Sequence, residues 1–130
     1  VFSPVLWQAS PGYDGEVEQV WFRGTHGDVG GHLNGFEQAR ALSNIPLVWM
    51  LEHAEQCDLP LPNDWRARFE RDASAPSTST WSGWGKLFWS RGPRIIGCDP
   101  SERLHESVDP DAKLKRWWHI KPDLRVMRKA

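Results

Sequence analysis

Two residues able to hold or move a proton, His26 and Asp28, stand close together in the run Trp21-Phe22-Arg23-Gly24-Thr25-His26-Gly27-Asp28-Val29-Gly30-Gly31-His32. An imidazole here can act as a general base, taking a proton from a nucleophile and returning it to a leaving group. It can equally be a loop histidine that hydrogen-bonds its neighbours, and residue chemistry alone leaves both readings open. Side chains two apart in a loop rarely face each other. Asp28 could orient that imidazole, but the favoured reading is that it accepts backbone N–H groups of the glycine turn around Val29-Gly30-Gly31 and fixes the loop's shape. The glycines of this stretch admit positive φ and close approach of other groups.

The stretch also has a metal reading. His26, Asp28 and His32 offer nitrogen and oxygen ligands, and His53 and His105 extend the set. An open catalytic metal site needs about three protein ligands held by supporting hydrogen bonds. This spacing matches no strong metal motif, so neither a metal nor another cofactor is expected.

The missing partner is a nucleophile. No Gly-x-Ser-x-Gly elbow occurs in the 130 residues. Ser82 lacks the flanking pattern. Ser107, in Leu104-His105-Glu106-Ser107-Val108, has a neighbouring histidine but no strand-to-helix elbow. Local hydrogen bonds between His105 and Ser107 in a surface segment are the expectation there. Cys57 and Cys98 lie far apart without an activating context and read as free thiols.

The elements that must position these groups follow from patterning. Residues 16–22 read as a buried strand with Val17, Val20, Trp21 and Phe22, like a central parallel strand. It delivers the glycine loop, residues 24–35, which is too glycine-rich to be helix or strand. Residues 36–42 offer a short helical turn. Ser43-Asn44 is a helix cap, and Pro46 fits the first turn of a helix over residues 45–57. Leu47, Met50, Leu51 and Ala54 should form its buried face, widened by Ile45, Val48 and Trp49, with Glu52, Glu55 and Gln56 toward water. Residues 65–71 suggest a short charged helix.

Elsewhere the signals are weaker. Residues 1–7, containing Pro4, read as an edge strand or an extended segment packed on a larger body. Residues 86–90 and 94–97 form a hairpin pattern around Arg91-Gly92-Pro93. Pro100-Ser101-Glu102 offers a helix start, and residues 110–118 a helix. The Trp-rich region 73–90 is loop-like and is expected to pack plainly rather than act as a lid or membrane patch. The tail is locally basic and expected to be solvated.

The length allows one domain. The apolar share of 39% and charged share of 25% fit a globular chain, and a net charge of −1 argues against nucleic acid as the main partner. No signal segment or transmembrane run is visible. Strand, loop and helix in succession indicate an α/β fold, but one convincing central strand does not complete a parallel sheet. The chain begins at Val1 rather than Met, and the rest of the core is expected in residues outside this sequence.

Two stretches carry a resemblance. They are Val17-Glu18-Gln19-Val20-Trp21-Phe22-Arg23-Gly24-Thr25-His26-Gly27-Asp28-Val29-Gly30-Gly31 and Ser43-Asn44-Ile45-Pro46-Leu47-Val48-Trp49-Met50-Leu51-Glu52-His53-Ala54. Both resemble the C-terminal part of a bacterial α/β-hydrolase family, long of unknown function, that includes type VI secretion lipase (phospholipase) effectors. His105-Glu106-Ser107-Val108 matches a later His-x-Ser-Val segment of that family. The resemblance implies an α/β-hydrolase-like domain over residues 1–108, with a helical, basic tail over residues 109–130. It implies a serine-type ester hydrolase in which His26 is the triad histidine, with the serine and triad acid upstream of Val1. Asp28, Gly24, Gly30 and Gly31 would shape the loop. It also implies a lipid or other ester substrate, peripheral membrane contact, and a protein that resides in the bacterial cytoplasm or is secreted as an effector. Where the family continues Gly-Gly-Gly-Tyr, this chain has Gly30-Gly31-His32-Leu33-Asn34-Gly35, so the aromatic is replaced. A non-catalytic remnant or binding module is the rival reading, and a metal-dependent hydrolase the third.

Overall fold

The computed structural model describes residues 5–78, 94–108 and 118–120. Two compact units divide the chain: Val1–Trp21 with Gly83–Ala130, and Phe22–Ser82. Both units mix strand or helix with short turns, and the described residues have a mixed α/β character.

In the first unit, strand β1 (Gln19–Trp21) pairs in parallel with β3 (Glu102–Leu104), in the register Gln19↔Glu102, Val20↔Arg103, Trp21↔Leu104. Strand β2 (Arg94–Ile96) pairs in parallel with β4 (Trp118–Ile120). Ile96, Leu104 and Val108 form the buried cluster, with Trp21 packed against it. Burial of Glu102, 1% exposed, is offset by two hydrogen bonds. The Trp21 indole N–H donates to Oε2 at 2.7 Å and the Asp99 N–H donates to Oε1 at 2.9 Å. Gln19 extends the pairing sideways: its Oε1 accepts from the Trp7 N–H at 2.7 Å and its Nε2 donates to the Trp7 carbonyl at 3.1 Å.

The expected strand over residues 16–22 is thus shorter, β1 covering Gln19–Trp21. Pro100-Ser101-Glu102 starts no helix. Asp99 caps that turn by accepting from the Ser101 N–H and hydroxyl, and Glu102 then enters β3. Residues 5–7 form no strand. The first half of the expected hairpin, the residues 110–117 and the basic tail lie outside the described residues.

In the second unit, helix α1 (His26–Gly30) and helix α2 (Arg40–Gln56) pack together. A 3₁₀ turn over Glu37–Ala39 runs directly into α2. The helix therefore begins five residues before the expected start, and Ser43 and Asn44 are interior rather than capping. Both are buried, and the Asn44 amide donates to the Glu70 carbonyl at 2.9 Å, which holds the chain beyond the helix against it. Pro46 lies past the first turn, where it removes one ladder hydrogen bond. Its own burial, with Leu42, Ile45 and Val48, offsets that loss.

The expected face is also corrected. Leu47 and Met50 are 41% and 59% exposed, and the buried positions sit in the first half of the helix. Trp49 meets Phe22 edge-on, with ring centroids 5.6 Å apart. Glu55 does not simply face water: it accepts from the Trp65 indole N–H at 3.1 Å and pairs with Arg66 at 2.5 Å. Helix α2 ends with Asp58 at φ 64°, the Leu59 N–H bonding the Ala54 carbonyl and the Asp58 N–H bonding that of Glu55. This closure usually takes glycine, and here aspartate fills the left-handed position. The charged helix expected over residues 65–71 is one 3₁₀ turn, Trp65–Arg68.

Candidate active site

The glycine stretch contains a turn of helix that sequence reading assigned to loop. Thr25 precedes α1 with extended backbone (φ −88°, ψ 177°). Its hydroxyl accepts from the Asp28 N–H at 3.4 Å, and its own N–H donates to Asp28 Oδ2 at 2.6 Å. This reciprocal capping box satisfies two amides that a helix start leaves open. Gly31 closes the other end with φ 79°. A five-residue helix is not stable through propensity. Its ends and the carboxylate between them set its shape.

Asp28 is the hub of that shape. It is 1% exposed, and both oxygens are occupied. Oδ2 accepts from the Thr25 N–H and from the Ser77 hydroxyl, each at 2.6 Å, and Oδ1 accepts from the Thr78 N–H at 2.9 Å. Burial is the strongest single influence and opposes the charge. The bonds from the Ser77 hydroxyl and from the Thr25 and Thr78 amides outweigh it, and hold the carboxyl below its ordinary value.

Glycine is demanded at particular positions. Gly24 has φ 127°, and a Cβ there would lie 2.7 Å from Asp28 Cβ. At Gly27 a Cβ would lie 2.7 Å from the His32 carbonyl oxygen. Gly31 needs its positive φ, whereas the space around Gly30 is open.

His26 takes the first helical position and is exposed. Among the described residues no hydrogen bond engages its ring. Its neighbours on both sides are held, Thr25 by the capping box and Asp28 by burial and hydrogen bonds. His32 is exposed as well. His53 is tied to its own helix, Nδ1 lying 2.8 Å from the Trp49 carbonyl. Among the described residues no three His, Cys, Asp or Glu side chains group where they could hold a metal ion, so His26, Asp28 and His32 are not brought together as ligands. Cys57 and Cys98 are free and exposed.

His105 is the first residue after β3. Its N–H donates to the Trp21 carbonyl at 2.9 Å, continuing the parallel ladder. The Ser107 N–H donates to His105 Nδ1 at 3.1 Å, and the Ser107 hydroxyl lies 3.0 Å from the same nitrogen. The local bonds expected there are present, but Ser107 is buried and His105 half-buried, so the segment is not a surface one. A nitrogen that accepts an N–H carries a lone pair, so the neutral ring holds its proton on Nε2.

Sequence reading missed Thr25, Ser77 and Thr78. The Thr25-x-x-Asp28 spacing is a capping-box signal and was legible. Ser77 and Thr78 meet Asp28 across about fifty residues of chain, and nothing local announces them.

Comparison with known proteins bears on this turn. Residues 1–53 match the family model described as T6SS, phospholipase effector Tle1-like, catalytic domain. The match spans β1, α1 and most of α2, and ends well before His105. No curated protein and no solved structure matches the chain. No helix among the described residues is long and apolar enough to cross a membrane.

Proposed function

We propose that this chain is the histidine-bearing part of a serine-type α/β hydrolase that cleaves phospholipid esters, with His26 as general base. The observation that carries the reading is an exposed, uncommitted imidazole on a rigidly framed turn, inside the segment that matches a phospholipase catalytic domain. The parallel pairing of β1 and β3 is compatible with an α/β-hydrolase sheet. In this reading a serine hydroxyl from another part of the protein gives its proton to His26 as its oxygen attacks the acyl carbonyl. The imidazolium then returns that proton to the departing alcohol, and water releases the acyl group by the same route. Asp28 carries no proton in these steps. It holds the turn. The family description also supports export as a type VI secretion effector acting on lipid at a membrane.

A second reading assigns the same activity to the other histidine. His105 stands at the carboxyl end of a parallel strand, where ligand and catalytic groups of α/β sheets gather. Its Nδ1, however, is engaged as an acceptor from Ser107, so the ring would have to turn before that nitrogen could donate to a triad acid. His26 needs no such change.

Phospholipid hydrolysis by the whole protein, measured for wild type, His26→Ala and His105→Ala, tests both. Loss of about 10⁴-fold or more in His26→Ala is expected. Activity kept within a few-fold in that variant refutes His26, and a collapse in His105→Ala alone moves the role to His105. A stable whole protein with no hydrolysis of any ester favours the non-catalytic remnant.

A further inference from the structure

Residues 72–78 run as a strap across the turn that carries His26, and their hydrogen bonds fix the course of that crossing. The Asp72 N–H donates to the Ala41 carbonyl at 3.1 Å. Arg23 Nη1 donates to the carbonyls of Ala73 and Ala75, at 2.9 and 2.7 Å. Ala75 is buried. The strap then reaches Asp28 through the Ser77 hydroxyl and the Thr78 amide. The hydroxyls of Thr25 and Thr78 lie 2.5 Å apart.

We propose that Ser77 and Thr78 are positioning residues for the hydrolytic site, acting through the Asp28 carboxylate on the turn that bears His26. The inference rests on the reading under Proposed function. Asp28 is gripped from two directions: Thr25 within its own turn, and Ser77 with Thr78 from the strap. Losing the Ser77 hydroxyl takes one of the two donors from Oδ2 and leaves the buried carboxylate held by the Thr25 and Thr78 amides alone, freer to rotate about its side-chain torsions. The Thr25 N–H then loses a fixed acceptor and the first turn of α1 loosens. A displacement of about 1 Å at a general base is enough to cost on the order of 10²-fold in rate. The substrate itself is not touched, so the loss falls on kcat and not on KM.

The experiment compares Ser77→Ala, Ser77→Thr and Ser74→Ala in the whole protein, with wild type and His26→Ala as references. Ser74 belongs to the same strap, but its hydroxyl donates to Asp72. The kcat and KM for a soluble fluorogenic ester are read beside amide exchange at Thr25. Expected are a kcat about 10- to 100-fold lower in Ser77→Ala with KM within twofold, recovery to within a few-fold in Ser77→Thr, and wild-type values in Ser74→Ala. Thr25 exchange should quicken at least tenfold in Ser77→Ala only. Wild-type kcat in Ser77→Ala, or an equal fall in Ser74→Ala, overturns the inference. Absent ester turnover in wild type, or retained turnover in His26→Ala, counts against the parent reading instead. The coupling is then decided by exchange: unchanged Thr25 exchange in Ser77→Ala overturns it, and a tenfold rise sustains it.

Discussion

Replacing Asp28 by Asn keeps the shape of the side chain and removes its charge and one acceptor. Three donors converge on the carboxylate: the Thr25 N–H, the Ser77 hydroxyl and the Thr78 N–H. An amide has a single oxygen. Facing Thr25 and Ser77, it turns its NH₂ group against the Thr78 N–H. Flipped, it opposes the Thr25 N–H instead. Either way one backbone donor is orphaned and the surviving bonds lose their charged acceptor. Bonds to a charged group are worth roughly 1 kcal/mol more than neutral ones, and an orphaned donor costs about 1–3 kcal/mol. Thr25 and Thr78 are half-buried, so water recovers part of the loss. The net expectation is about 2 kcal/mol off the free energy that holds this turn closed. Native-state hydrogen exchange by NMR reads that quantity directly. Exchange of the Thr25 and Thr78 amides should quicken about 30-fold in Asp28→Asn, and more in Asp28→Ala, which strands all three donors. The Phe36 amide, bonded to the Leu33 carbonyl, should not change and serves as the internal control. Exchange at Thr25 and Thr78 within about threefold of wild type would refute the assignment of Asp28 as the hub of the turn.

Other expectations follow from the same geometry. Gly24→Ala should lower thermal stability by more than about 1 kcal/mol, from left-handed φ and the clash with Asp28 Cβ, whereas Gly30→Ala should be neutral or stabilise by up to about 1 kcal/mol. Because its native value is lowered, Asp28 contributes stability that is complete above the ordinary carboxylate range. As pH falls, the unfolded chain takes up the proton first, so the contribution fades below about pH 4 and is gone beneath the native value. Acid unfolding of wild type minus Asp28→Asn isolates this contribution, since Asp72 and Asp99, also lowered by Ser74 and Ser101, are common to both. Glu102→Leu should destabilise the first unit by about 2–3 kcal/mol, because the Trp21 indole and the Asp99 amide lose their acceptor. Near-ultraviolet circular dichroism and Trp21 exchange during denaturant unfolding check it, and a neutral outcome contradicts the buried role of Glu102.

The sequence announced the turn's importance better than its structure. Trp21-Phe22 followed by alternating glycines marked a strand end carrying polar groups, and β1 does lead into α1. Glycine content argued against helix, and the Thr25-x-x-Asp28 capping spacing, which the structure uses, went unread. The strong apolar periodicity of residues 45–57 located α2. The Ser43-Asn44 cap chemistry and Pro46 then misplaced its start, because tertiary bonds such as Asn44 to Glu70 override local preference. Strand β3 was illegible. Glu-Arg-Leu has no strand pattern, and its pairing comes from β1, about eighty residues away. The strap residues Ser77 and Thr78 were hidden for the same reason: their partner is distant in the chain, and a Ser/Thr-rich stretch reads as loop wherever it lands.

In the proposed mechanism His26 transfers the proton in ester hydrolysis. The most direct measurement is the single-turnover rate of acyl transfer from a phospholipid to the whole protein, wild type against His26→Ala, at matched substrate binding. A fall of about 10⁴-fold or more is expected, with vesicle binding unchanged. An acyl-transfer rate in His26→Ala within a few-fold of wild type would contradict it.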